Sequence, residues 1–389
     1  MFDTAIIGGG LAGCSAAITL AKQGLRVILV EAKTYPHHKV CGEFLSPECL
    51  YLLDELGVLS KLSTFQPTSI DRLAISSSDG TLWEANLPAS ALGISRYALD
   101  DCMAKHAVSQ GAVLRQESRV TSIEGNLDKT FKLTVRSDSR IEEINAKTVI
   151  GAYGKRSNLD RTLKRTFLQK PQPFIALKSH FYGPPLPLRI ELHAFSGGYC
   201  GMSEIENGKT NVCLLAREEV FQKVTENATD HLSAFIEWMQ TQNPRLRTWL
   251  SQSRQVDERW LSISQVPFVQ KQLVENDILM AGDAAGLIAP LAGDGMAMAL
   301  QAGKLAANYT TAFLTGQIST DRFRQGYAAD WTKEFSTRLR LGSILQALML
   351  RPNLLALGLR LLNTVPSLGD FFIKHTRDTK LVHTYPQTH

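Results

Sequence analysis

The spacing of apolar and polar positions divides the chain into an opening unit, a strand-rich middle and a helical end. Thr4, Ala5, Ile6 and Ile7 form a short β-branched run that stops on Gly8. An alanine-rich helical stretch, Ala12 to Gln23, ends at Gly24, a residue suited to close a helix. A second apolar run, Val27 to Val30, stops on Glu31. Ser46 and Pro47 open a helix that carries Leu50, Leu52, Leu53 and Leu56 to Gly57. Residues 70–87 alternate around Asp79-Gly80, the pattern of a hairpin. A helix is expected from Tyr97 to Gln110, then strands near 113–124, 131–136 and 147–154.

Beyond residue 163 the pattern becomes that of consecutive strands. Phe174–Tyr182, Arg189–Phe195, Tyr199–Ile205 and Lys209–Leu215 alternate, and Asn207-Gly208 turns the last two into a hairpin. Helices are expected near 217–225 and 229–241, and a further strand near 260–268. Residues 274–281 read as a strand that leads through a Gly/Pro-rich loop into a long helix. The expected fold class is α/β: a Rossmann-like domain from 1–67, 93–162 and 266–320, with an inserted antiparallel β-sheet domain from 68–92 and 163–265. Helices fill 321–389.

The opening unit has the parts of a dinucleotide site. Gly8, Gly10 and Gly13 fill G-x-G-x-x-G between strand and helix, with an acid about twenty residues on. Gly8 allows the tight turn, Gly10 lets a pyrophosphate reach the backbone, and Gly13 lets helix and strand close together. Leu11 and Ala12 begin the helix, whose unpaired N–H groups face the phosphates. Glu31 is placed to accept ribose hydroxyls. The far stretch repeats this logic. Gly282-Asp283 follows a strand, and a loop with Pro290, Gly293 and Gly295 runs into a helix at Met296. A flavin suits it, with ribityl hydroxyls on Asp283 and the pyrimidine carbonyl at the helix start.

Composition narrows the class. The chain has 389 residues, 44% hydrophobic and 20% charged, the usage of a soluble globular protein of more than one domain. A net charge of +5, with no nucleic-acid-binding motif, excludes a nucleic-acid partner. Cysteines 14, 41, 49, 102, 200 and 213 show no C-x-x-C and read as free thiols of a reducing compartment. The start Met-Phe-Asp has no basic n-region, and no apolar run is long enough to span a bilayer, so a cytoplasmic protein is expected. His37-His38 has no third ligand nearby, so a solvated loop and no metal site are expected.

These landmarks resemble the p-hydroxybenzoate hydroxylase-like FAD superfamily, which includes aromatic hydroxylases, flavin halogenases and geranylgeranyl reductases. The matching parts are the opening glycines with Glu31, a middle segment at Gly151–Ser157, and Gly282-Asp283, together spanning residues 1–310. The resemblance implies FAD rather than NAD, and an antiparallel sheet roofing the flavin. Lys39-Val-Cys-Gly-Glu43 and Gly282-Asp-Ala-Ala-Gly286 resemble the geranylgeranyl reductase-like branch. Glu43 departs from it, because that branch often has glycine there. Tyr153-Gly154 departs from the usual Asp-Gly, so the electron donor is NAD(P)H or another reductant. Trp260-Leu-Ser-Ile is a poor substitute for the halogenases' tryptophan-rich motif, which disfavours halogenation.

Family position puts Cys41 and Glu43 beside the flavin as candidate catalytic residues. Glu43 would act as acid or base if desolvation raised its pKa; the plain alternatives are a packing thiol and a helix-start acid. Lys178 and His180 share one face of a strand and would bind a phenolate or carboxylate if that face met the flavin. The plain alternative is a solvated outer face. Arg96 resembles the family arginine that contacts the cofactor. Residues 335–369 carry Arg338, Arg340, Arg351 and Arg360 and no acid, broken by Pro352 and Pro366. Such a tail suits a membrane surface or a lipid-like substrate, with peripheral membrane or carrier-protein contact; the plain alternative packs it on the FAD domain with arginines outward. The reading is an FAD-dependent monooxygenase of secondary metabolism, acting through a flavin C4a-hydroperoxide on a hydrophobic, aromatic or polyketide-like small molecule. The alternative is a geranylgeranyl reductase-like enzyme that reduces C=C bonds in a lipophilic substrate. A flavin-binding protein without catalysis is disfavoured by the intact motifs.

Overall fold

Strand Phe2–Ile7 lies at the middle of a parallel sheet, between Val27–Val30 and the end of Arg140–Gly151. The computed structural model describes residues 1–138, 140–287, 293–365 and 367–369. In its first sheet the parallel order runs Ile278–Met280, Arg140–Gly151, Phe2–Ile7, Val27–Val30, Val113–Arg115. Arg119–Asn126 and Lys129–Ser137 extend it as an antiparallel meander. The register places Ile7 and Met280 on either side of Gly151. Three strands therefore finish level, and the turn at Gly8, the middle segment after Gly151 and the Gly282-Asp283 turn all leave from one edge. Ligands of open α/β sheets bind outside such carboxyl ends.

Helix Leu11–Lys22 and helix Gly295–Leu314 lock this edge together. Ser15 Oγ donates to Leu300 O at 2.7 Å, and a methyl group on Gly303 would overlap the Ala12 carbonyl. A methyl on Gly13 would overlap the Gly8 carbonyl. The alanine-rich sequence is what lets backbones come this close.

The second sheet runs in the order Arg254–Gln255, Phe174–Tyr182, Thr210–Arg217, Gly198–Glu204, Arg189–Phe195, Thr68–Ser76, Leu82–Gly93, Phe44–Leu45, and Leu261–Ile263 also pairs with Phe174–Tyr182. It is antiparallel except where Arg189–Phe195 runs parallel to Thr68–Ser76. Both of its faces are covered. Leu177, Phe181, Val212, Leu214 and Met202 pack under helices Glu218–Thr225, His231–Gln242 and Pro244–Ser251. Ala176, Leu192, Ala194, Tyr199 and Leu215 point the other way and meet Met349, Leu355 and Leu359 of the last two helices.

Several local expectations change. The strand expected at 113–124 breaks at Glu117, which adopts φ +50° as the chain turns around Glu31. The strand expected at 274–281 is a small hairpin, because Asn276 and Asp277 both take positive φ. The strand near 260–268 shortens to Leu261–Ile263. Helix Pro244–Ser251 was signalled by Asn243-Pro244: the Asn243 side chain caps it by accepting from Arg245 and Leu246 N–H. The tail forms Tyr327–Met349 and Pro352–Thr364. Only the first packs on the FAD-side core, through Tyr327, Trp331 and Phe335; the second lies on the other sheet. Pro366 lies outside the described residues.

Candidate active site

The Gly8–Gly10 turn is braced before any ligand is considered. Glu31, nearly fully buried, accepts from Gly9 N–H at 2.8 Å and from Lys33 N–H at 3.0 Å. The Tyr35 hydroxyl donates to Gly9 O. Across from Gly10 stand two cations. A Cβ built on Gly10 would lie 3.7 Å from Lys39 Nζ and 3.8 Å from Arg96 Nη2. Both pair with Asp100, a fully buried carboxylate: Lys39 at 2.8 Å and Arg96 at 2.6 Å. Burial pushes the Asp100 carboxyl up, but the Arg96 and Lys39 charges outweigh it and hold it below the usual range. Two cations on one anion leave a net positive charge beside the glycine turn. A diphosphate fits there: open backbone, a helix N-terminus and surplus positive charge.

The other two landmarks are tied by residues whose roles the sequence reading missed. Arg165, buried throughout, donates to Asp160 Oδ1 at 3.1 Å, Ala284 O at 2.9 Å and Gln272 O at 2.8 Å. Tyr153, where the family usually has aspartate, donates to Asp160 Oδ1 at 3.1 Å. Lys271 donates to Asp283 O at 2.7 Å and Lys155 O at 2.8 Å, and burial pulls its ammonium down to about 8. This network holds the backbone around Gly282-Asp283 against the middle segment. Asp283, Gly286, Gly295 and Met298 line one small cavity, which puts the Asp283 carboxylate beside the start of helix Gly295–Leu314. Gly293 takes φ +67°, and Met296 is buried in the first helical turn. Pro290 lies outside the described residues. A polyol on Asp283 and a polar ring edge at this helix start suit a flavin.

Val40–Glu43 bridges the two layers. Lys155 donates to Val40 O at 3.4 Å, Asn211 Nδ2 to Cys41 O at 3.1 Å, and Ser203 Oγ to Gly42 O at 3.3 Å. Cys41 stays partly exposed between sheet and nucleotide side. Glu43 takes φ +54°, a left-handed conformation that costs a non-glycine residue about 1–2 kcal/mol. That backbone explains why glycine suits this position in the resembling branch. Here the side chain turns into the second sheet and accepts three hydrogen bonds: Lys178 Nζ at 2.7 Å, His180 Nε2 at 2.7 Å and Arg96 N–H at 2.8 Å. Glu43 and Lys178 are 0% exposed and His180 is 1% exposed.

This overturns two expectations. Lys178 and His180 do not form a solvated outer face, because the last helices and the nucleotide side cover their side of the sheet. Glu43 is neither a helix-start acid nor a carboxyl raised by desolvation. Burial alone would push it up, but the His180 hydrogen bond and the Lys178 charge outweigh burial and hold it below the usual value. Nor is His38 in a solvated loop. Its ring stacks on Tyr97 at 4.7 Å and meets His180 edge-on at 5.1 Å. Burial and the Lys178 charge hold the His38 imidazole below its ordinary value. His38, Glu43 and His180 bring donor atoms within 4.8 Å of one another, the third partners that sequence proximity could not supply to His37-His38. With the Lys178 ammonium already on Glu43, the group has the charge balance of a proton-exchanging set rather than a cation site. His38 and the exposed Tyr97 connect it to solvent.

Comparison with known proteins agrees with this geometry. A family model described as an FAD binding domain matches residues 1–327. The menaquinone reductase of Mycolicibacterium smegmatis is 25% identical over 327 residues, covering 79% of this chain and 76% of the relative. The digeranylgeranylglycerophospholipid reductase of Methanosarcina mazei is 26% identical over 342 residues, covering 85% and 80%. Among solved structures, a flavin-dependent brominase superposes with a TM-score of 0.79 at 17% identity, covering 96% of this chain and 93% of the other, a likeness of fold.

Proposed function

The chain belongs to the FAD binding domain family and is an FAD-dependent oxidoreductase, and from that premise we propose that it hydroxylates a lipophilic phenol or enol with one oxygen atom of O₂. The observation that carries this is the buried Glu43–Lys178–His180 set on the roof face that also presents Ala176, Tyr199 and Leu215. FAD supplies the redox chemistry. The chain's part is to bind a hydrocarbon-rich molecule against an apolar sheet and to manage one proton. Ionising a ring hydroxyl enriches the ring carbons that an electrophilic oxygen attacks. Lys178 can hold the resulting phenolate oxygen, while Glu43, His180 and His38 carry the proton toward Tyr97. Two electrons from NAD(P)H or another reductant and two protons balance the second oxygen atom as water.

A second reading is supported by Gly286, by the Cys41-Gly42 segment and by the reductase names of the two curated relatives. In it the same group delivers a proton to one carbon of a C=C bond while the flavin delivers a hydride to the other. One experiment separates the two. The FAD-loaded protein is reduced anaerobically, then given a long-chain alkylphenol with ¹⁸O₂, or a menaquinone without oxygen. The proposal expects one ¹⁸O atom in the phenol product and no change in the menaquinone side chain. A product carrying two added hydrogens and no label overturns it. Lys178→Met should slow labelling by roughly a hundredfold or more, the scale of a lost proton-handling group.

A further inference from the structure

The last two helices present an apolar surface that nothing in the fold covers. On helix Pro352–Thr364, Leu355 and Leu359 face inward onto the roof sheet, and Arg360 to Asp79 at 2.7 Å with Asn363 to Leu82 O at 2.8 Å fix the helix to the hairpin. This fixes which way the rest of the helix points. Leu354, Leu357 and Leu361, spaced three and four apart, form an outward stripe at 50%, 67% and 54% exposure, and Val365 continues it. On helix Tyr327–Met349, Ile344 is 64% exposed. Each exposed apolar position has an exposed arginine beside it on the same helical face: Arg340 four residues before Ile344, and Arg351 three residues before Leu354. Arg360 is used internally, and residues 335–369 contain no acid.

We propose that this face docks the protein on an anionic lipid bilayer. Outward leucines beside arginines, with no acid among them, complement a membrane interface: the apolar side chains enter the acyl boundary while the guanidinium groups stay at the lipid phosphates. The two helices are bent by 107° at the break, and no single helix among the described residues is long and apolar enough to cross a membrane. The attachment is therefore interfacial. The inner face of the same helix closes the apolar side of the roof sheet, so a lipid-borne substrate of the proposed kind would enter beside the docked surface; that consequence rests on the proposed function, the docking does not.

The test is co-sedimentation of the full FAD-loaded chain with phosphatidylcholine vesicles and with mixed phosphatidylcholine–phosphatidylglycerol vesicles. The protein should sediment with the anionic vesicles, less at high salt. Leu357→Asp with Leu361→Asp should lower partitioning roughly tenfold or more, while the visible flavin spectrum stays unchanged. Arg340→Glu with Arg351→Glu should lower it on anionic vesicles only. No sedimentation at low salt overturns the proposal, as does equal binding by the leucine variant. Light scattering that shows a dimer separated by the leucine variant overturns it in favour of a second copy on this face. Oxygen transfer to a short, water-soluble phenol without vesicles should be the same in wild type and leucine variant. Failure of docking and failure of the hydroxylase reading are thus read separately.

Discussion

Replacing Glu43 by glutamine tests whether the buried group is held by charge. The carboxylate accepts from Lys178, His180 and the Arg96 backbone, all at 2.7–2.8 Å and out of water. Glutamine keeps an oxygen in place but removes the negative charge. A buried ammonium without its partner gives up its proton rather than remain charged. For a lysine of ordinary pKa, about 10.4, that costs at most about 4.6 kcal/mol at pH 7. The relief of no longer burying a carboxylate works against this, and removing one member of a buried pair usually costs about 3–5 kcal/mol. We expect Glu43→Gln to lose roughly 3 kcal/mol at pH 7. In this variant the folded-state value of Lys178 falls below the unfolded one, so the unfolded chain binds the extra proton and stability rises with pH. The deficit should shrink toward pH 10, by at most about 1.4 kcal/mol per unit. Urea midpoints at pH 7 and pH 9.5 measure this, and Glu43→Gln with Lys178→Met should return to within about 1 kcal/mol of wild type. A deficit under about 0.5 kcal/mol, or one that does not change with pH, refutes the reasoning.

Gly10→Ala should fold normally, since Gly10 has φ −76° and its added methyl meets only Lys39 and Arg96 at ordinary contact distance. Its FAD affinity, followed by flavin fluorescence, should fall roughly a hundredfold, because the pyrophosphate can no longer approach. Gly13→Ala should instead destabilise the apoprotein, because its methyl overlaps the Gly8 carbonyl. Lys271 titrates near about 8 in the folded chain, below its ordinary 10.5. The unfolded chain therefore binds more protons between those values, and stability should rise with pH across that window by up to roughly 3 kcal/mol. Lys271→Met should remove that rise, and parallel urea-midpoint curves for wild type and variant would count against it.

The nucleotide side was legible because its constraints are local. Gly8, Gly10 and Gly13 each answer a demand of the adjoining strand or helix, and the level ends of three strands then bring the landmarks together. Asp100 also had a local signal, four residues after Arg96 on one helical face. The catalytic group had no such signal. Alternation told that Lys178 and His180 share a face, but both faces of that sheet are covered, so period could not say which neighbour each meets. Their partner lies 135 and 137 residues away.

The one trace of that partnership in the sequence is the glutamate at 43 where the resembling branch often has glycine. The structure turns that departure into a balance of two energies. At φ +54° glycine would relieve about 1–2 kcal/mol of backbone strain. It would also strip Lys178 and His180 of their shared carboxylate, at about 3–5 kcal/mol. The second effect is larger, so Glu43→Gly should be net destabilising by roughly 2 kcal/mol at pH 7. In a chain already carrying Lys178→Met and His180→Phe, where no cation needs the carboxylate, the same Glu43→Gly change should stabilise. Urea midpoints of the four proteins measure the reversal, and a glycine that destabilises equally in both backgrounds would mean that something other than the buried cations holds Glu43 in its left-handed turn.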